Sequence, residues 1–74
     1  MKISYDLEVD ALYIQFRPIE PGQAKNRDLE KNIAADFGPD GLLSGIEVLE
    51  ASRLIDPLNE NFIVELAPIA RKIA

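Results

Sequence analysis

The chain contains neither cysteine nor histidine. Without cysteine there is no disulfide, no thiolate nucleophile and no Cys-ligated zinc or iron–sulfur centre. Without histidine, the commonest metal ligand and the usual general base at neutral pH are missing as well. No apolar run approaches the roughly 18 residues of a membrane span, and Lys2 is not followed by the apolar stretch of a signal peptide. A soluble, cytoplasmic protein is the expectation. Basic residues are few: 8 Lys and Arg stand against 13 Asp and Glu, a net charge of −5. That balance argues against general nucleic-acid affinity, because the phosphate backbone rewards Lys and Arg. It favours solubility and would steer a basic partner. At 74 residues the chain makes one domain, burying about 60% of the surface its unfolded form exposes. Self-association or a bound partner is a natural source of added stability for so small a core.

What is present is strand and turn writing. Ile3 and Tyr5 alternate with Lys2, Ser4 and Asp6, and Leu12, Ile14 and Phe16 alternate with Ala11, Tyr13, Gln15 and Arg17. Period two predicts strands. A four-residue turn, Leu7-Glu8-Val9-Asp10, pairs Tyr5 with Leu12 and Ile3 with Ile14, whereas a three-residue turn would put them on opposite faces. Two prolines and a glycine rule out regular structure over most of Pro18 to Asn26. A third strand is expected from about Leu29 to Phe37, then a Gly38-Pro39-Asp40-Gly41 turn and a fourth strand from Leu42 to Leu49. A tight register there pairs Phe37 with Leu42, Ala35 with Ser44 and Ile33 with Ile46. Ser52 is placed to cap a short helical turn ended by Asp56-Pro57. Beyond it Phe62, Leu66, Ile69 and Ile73 form one stripe of an amphipathic helix, with Pro68 as a kink. The alternative for Phe62 to Leu66 is a fifth strand.

Catalytic patterns are thin. Asp6-Leu7-Glu8-Val9-Asp10 begins like a calcium loop, but an EF-hand needs Gly and Glu where Ala11 and Arg17 stand. Asp36, Asp40, Glu47 and Glu50 invite a paired-carboxylate reading, yet nothing sets two of them about 5 Å apart around a cleft. Ser4, Ser44 and Ser52 lack a histidine to activate them and a nucleophile elbow. Arg17, Lys25 and Arg27 form a basic cluster without interleaved aromatics, which reads as a solvated loop. The remaining feature is apolar surplus: Ala11, Tyr13, Ala34, Leu43, Gly45 and Leu49 lie opposite the core-like stripe.

Ile3-Ser4-Tyr5-Asp6, Asp10-Ala11-Leu12-Tyr13-Ile14, Asp36 to Gly41 and Gly45-Ile46-Glu47-Val48-Leu49-Glu50-Ala51-Ser52 together resemble a small prokaryotic family of unknown function. Its members open with Y-D-x-x-x-D-A-L-Y-I. The resemblance spans roughly residues 1–17 and 33–54 and implies a compact antiparallel β-meander followed by helical structure. It brings no activity, cofactor or catalytic residue. Some members are suspected of lying beside small toxin-like ribonucleases, which implies an antitoxin or immunity role.

The expected architecture is therefore α+β: an antiparallel four-stranded β-meander over about 2–49, in order 1-2-3-4, with a helical segment over about 52–73 packed on one face. The expected function is a non-enzymatic protein-interaction module without a cofactor, acting as a homo-oligomer or with another small protein, and touching neither nucleic acid nor membrane. Its interface would comprise Tyr13, Leu43, Leu49, Phe62, Leu66, Ile69 and Ile73, and its acidic partner surface Asp6, Glu8, Asp10, Asp36 and Glu47. The alternative is a small-ligand or divalent-metal-binding domain using the acidic turns.

Overall fold

The computed structural model describes residues 1–56, 58 and 65. Five strands run through it: β1 (Lys2–Asp6), β2 (Ala11–Gln15), β3 (Lys25–Glu30), β4 (Ile33–Phe37) and β5 (Leu43–Leu49). They form one antiparallel sheet in the order β1-β2-β5-β4-β3. A single 3-10 turn, Ala51–Arg53, follows β5. Among the described residues the fold is an all-β, five-stranded antiparallel sheet with no α-helix, which corrects the expected α+β four-stranded meander with a C-terminal helix. Phe62, Leu66, Ile69 and Ile73 lie outside the described residues. No helix among the described residues is long and apolar enough to cross a membrane.

Two features of the sheet depart from the expectation, and both have physical causes. Adjacency in sequence order is the commoner arrangement, but β5 inserts between β2 and β4. β2 and β3 are thus three strand spacings apart, roughly 14 Å at about 4.8 Å each. The nine-residue Phe16–Ala24 connection spans that gap. The second feature is β3 itself. Lys25-Asn26-Arg27-Asp28-Leu29-Glu30 has no apolar alternation, and all six residues are exposed. Pairing with β4 orders it, through a tight Lys31-Asn32 turn in which Asn32 takes φ 67. Asn accepts that left-handed backbone at little cost.

The first hairpin has the expected register, Asp6 opposite Ala11, Tyr5 opposite Leu12 and Ile3 opposite Ile14. The β4–β5 register is shifted from the expected one: Ala35 lies opposite Ile46, Ile33 opposite Val48 and Phe37 opposite Leu43. The cause is a longer connection, with a bulge between Asp36 and Phe37. Its turn closes where the Gly41 N–H donates to the Gly38 carbonyl at 2.9 Å, and Gly41 supplies the positive φ of 82. The shift of two at Ile33 and Ala35 preserves their face.

Residues directly opposite in antiparallel strands share a face, so the registers define two. One carries Ile3, Tyr5, Leu12, Ile14, Ile33, Ala35, Phe37, Ile46 and Val48. Leu12 and Ala35 are its buried members. At its β3 border the Arg27 guanidinium stacks over the Phe37 ring, 4.7 Å from the centroid. The other face carries Lys2, Ser4, Asp6, Ala11, Tyr13, Gln15, Asn26, Asp28, Ala34, Asp36, Gly45, Glu47 and Leu49.

Candidate functional site

Three side-chain networks hold the sheet. At the β1–β2 turn, Asp10 takes a left-handed backbone (φ 54) that turns its carboxylate back toward the chain. The Tyr5 hydroxyl donates to its Oδ1 at 2.7 Å. From 42 residues away the Ser52 backbone N–H donates to Oδ1 at 3.0 Å and the Ser52 hydroxyl to Oδ2 at 2.6 Å. The Ala51 N–H donates to the Asp10 carbonyl at 3.0 Å, and Ala51 is fully buried. Glu50, also left-handed (φ 53), swings the chain out of β5 into this position. Ser52 therefore anchors to Asp10 and is not the helix cap expected of it.

Electrostatically the cluster is closed. The hydrogen bonds from Ser52 and Tyr5 hold the Asp10 carboxyl below its ordinary range. Donation to Asp10, reinforced by desolvation and by the charges of Asp10 and Asp6, pushes the Tyr5 phenol up to about 12. A carboxylate so stabilised is a weak base, and a phenol so stabilised is a weak acid. Protons stay where they are, and the arrangement fastens the first hairpin to the end of the last strand.

In mid-sheet the Tyr13 hydroxyl reaches across β5 and donates to Asp36 Oδ2 at 2.8 Å, while Asn26 Nδ2 donates to Asp36 Oδ1 at 2.9 Å. The phenol crosses directly over Gly45, where an added Cβ would collide with its ring carbon and oxygen. Gly45 is thus a packing requirement. Burial, then the bond to Asp36, raises the Tyr13 phenol above its ordinary range. At the opposite end of the sheet, Arg17 grips Asp40 with two bonds of 2.9 and 2.6 Å and donates to the Leu42 carbonyl at 3.0 Å. The Leu42 N–H returns a bond to Asp40 Oδ1 at 3.0 Å. The guanidinium and that N–H lower the Asp40 carboxyl to about 2. The basic cluster read from sequence is dispersed: Arg17 serves Asp40 and Arg27 serves Phe37.

What these networks leave open is the polar face. Two hollows adjoin there and share Glu47 as a wall. One, 670 Å³, is lined by Ser4, Tyr5, Asp6, Leu7, Glu8, Val9, Ala11, Tyr13 and Glu47. The other, 290 Å³, is lined by Asn26, Asp28, Glu30, Lys31, Asn32, Ile33, Ala34, Glu47 and Leu49. Together they present the carboxylates of Asp6, Glu8, Asp28, Glu30 and Glu47 against one cation, Lys31.

Of the expected acidic surface, Asp6, Glu8 and Glu47 line these hollows. Asp36 lies on the same face but is engaged by Tyr13 and Asn26, and Asp10 is committed to Tyr5 and Ser52. Tyr13 and Leu49 join the face, whereas Leu43 sits by the β4–β5 bulge. Asp28 and Glu30 escaped the sequence reading because β3 did; recognising Lys31-Asn32 as a turn would have exposed them. Among the described residues no group of three or more carboxylates is arranged to hold a metal ion.

The fold and its networks define a small antiparallel-sheet domain, fastened end to end by side-chain hydrogen bonds and open on one acidic face. The chain belongs to the family of proteins of unknown function DUF2283, whose model matches residues 2–52. That range runs from the first residue of β1 to Ser52, and so contains all three networks. No curated protein and no solved structure matches the chain.

Proposed function

We propose that this protein is a non-enzymatic interaction domain whose polar sheet face receives the basic side chains of a protein partner. The observation that carries the reading is the pair of hollows on either side of Glu47, lined by five carboxylates and one lysine. Lysine and arginine side chains are long enough to enter such hollows, and Tyr13, Ala11, Ala34 and Leu49 offer apolar surface to their stems. Complementary charge across an interface mainly sets encounter rate and partner choice. A small basic toxin, the partner implied by the family resemblance, is the sharpest form of this reading.

The test compares the domain with a variant carrying Asp6→Asn, Asp28→Asn and Glu47→Gln, each immobilised and exposed to extract of the source cells. The expected result is a basic protein retained by the unaltered domain at about 50 mM salt and released at about 0.5 M, where charge is screened within a few ångströms. The variant retains little of it. Retention indifferent to both salt and substitution, or no basic protein at all, overturns the proposal.

A further inference from the structure

The sheet has two edges, and they differ in a way that points to a second copy of this chain. Among the described residues, β1 and β3 each have one strand neighbour. A two-fold axis joining two like edges runs perpendicular to the sheet and sets residue i opposite j and j opposite i. Residues directly opposite must share a face, so i and j must have the same parity along the strand. For β3 that condition is hostile. The charge-complementary alignment, Arg27 opposite Asp28, has the wrong parity, because Arg27 lies on the apolar face and Asp28 on the polar one. The two allowed central registers oppose Arg27 to Arg27 or Asp28 to Asp28, and the irregularity between Asp28 and Glu30 breaks the edge further.

β1 meets the same condition well. Its sequence is Lys-Ile-Ser-Tyr-Asp, without proline, bulge or a charge at its centre. Placing the axis on Ser4 sets Lys2 opposite Asp6 on the polar face and Ile3 opposite Tyr5 on the apolar face, each pair occurring twice. Ile3 is 39% exposed, and Met1 and Leu7, which the same register brings together beyond the strand ends, are 74% and 64% exposed. Two ion pairs and two apolar pairs therefore follow from one five-residue strand, and the two acidic faces remain on one side of a continuous sheet.

We propose that two copies of this chain pair antiparallel along β1, centred on Ser4, joining their five described strands each into one continuous sheet. The pairing takes up Asp6 and leaves Glu8, Asp28, Glu30 and Glu47 on the acidic face, and it is tested without any other partner. The contact is short, so association is weak and is sought at high concentration, about 0.5 mM. The test is a charge exchange read by light scattering or sedimentation. Lys2→Glu alone places two carboxylates opposite each other in both symmetric pairs, and Asp6→Lys alone places two ammonium groups there. Each single variant is expected to associate about 10-fold or more weakly than the unaltered chain. Mixed together, they restore both attractive pairs, so the mixture forms a heterodimer that neither forms alone. Circular dichroism melting establishes that each variant is folded. The proposal is overturned if the unaltered chain is monomeric at that concentration, if the single variants associate as well as it does, or if the mixture gains nothing.

Discussion

Asp10 and Asp40 sit at opposite ends of the sheet and each accepts hydrogen bonds that fasten a turn, but they do so with different chemistry. Asp10 takes neutral donors, Tyr5 and Ser52, the latter 42 residues away. Asp40 takes a guanidinium, Arg17, in a pair whose side chains are 37% and 49% exposed. The Nε–H of Arg17 is also buried without a hydrogen-bond partner among the described residues, a cost set against the pair. Ion pairs of such exposure contribute little and are screened by salt. Short-range bonds from neutral donors are not screened in that way. The Asp10 end should hold the fold, and the Arg17 end should adjust it.

Asp10→Ala is the strongest way to break the comparison. It orphans the Tyr5 hydroxyl and both Ser52 donors, and it places alanine at a left-handed backbone position that Asp tolerates better. The expected fall in Tm, measured by circular dichroism, is on the order of 10 °C for a domain of this size. Asp10→Asn keeps a side-chain oxygen and tolerates the backbone, so its fall should be about half as large. Equal losses for the two variants would mean that what both remove, the charge and the second carboxylate oxygen, dominates over the left-handed backbone.

How much of this was legible in the sequence follows from the range of each interaction. The β1–β2 register was legible, because alternation of Ile3, Tyr5, Leu12 and Ile14 leaves one loop length that keeps them on one face. The shared face of Ala11, Tyr13, Ala34, Gly45 and Leu49 was legible for the same reason, since a register error of two residues leaves faces unchanged. The place of β5 was not. Nothing local distinguishes a strand that returns beside its predecessor from one that passes between two earlier strands. Asp10 read as one more carboxylate of an acidic turn, because its partner Ser52 joins it only through the β2–β5 pairing. Both residues lie in the segments that resemble the family, but in separate blocks, and the sequence alone does not join them.

Alkaline titration sharpens the contrast between the ends with a smaller effect. The Tyr5 phenol is raised from its usual 10 to about 12 in the folded chain. A phenol raised on folding contributes stability that is fully present below pH 10 and lost as pH rises toward 12. Unfolding measured across that window should show a decline that Tyr5→Phe reduces, leaving the part due to Tyr13, which is also raised. The Arg17–Asp40 pair should take no part, since hydrogen bonding to Asp40 raises the Arg17 guanidinium above its already high value. A decline that Arg17→Met abolishes and Tyr5→Phe leaves untouched would reverse the assignment of the two ends.

The smallest effect belongs to Arg17 and Asp40. The carboxyl of Asp40, lowered to about 2, contributes stability present above its unfolded value near 4 and lost as pH falls through 2. Its side chain is half-exposed, and added salt weakens the attraction. Arg17→Met at neutral pH should lower Tm by only a few degrees in dilute buffer, and by less in about 1 M salt. Methionine keeps an unbranched apolar stem and removes the guanidinium, the part of Arg17 that lies against Gly38, together with its charge. A loss as large as that of Asp10→Ala, and unchanged by salt, would show that the bond from Arg17 to the Leu42 carbonyl fixes the β4–β5 turn. The difference between the two ends would then lie in the loops they close rather than in the charge of the donors.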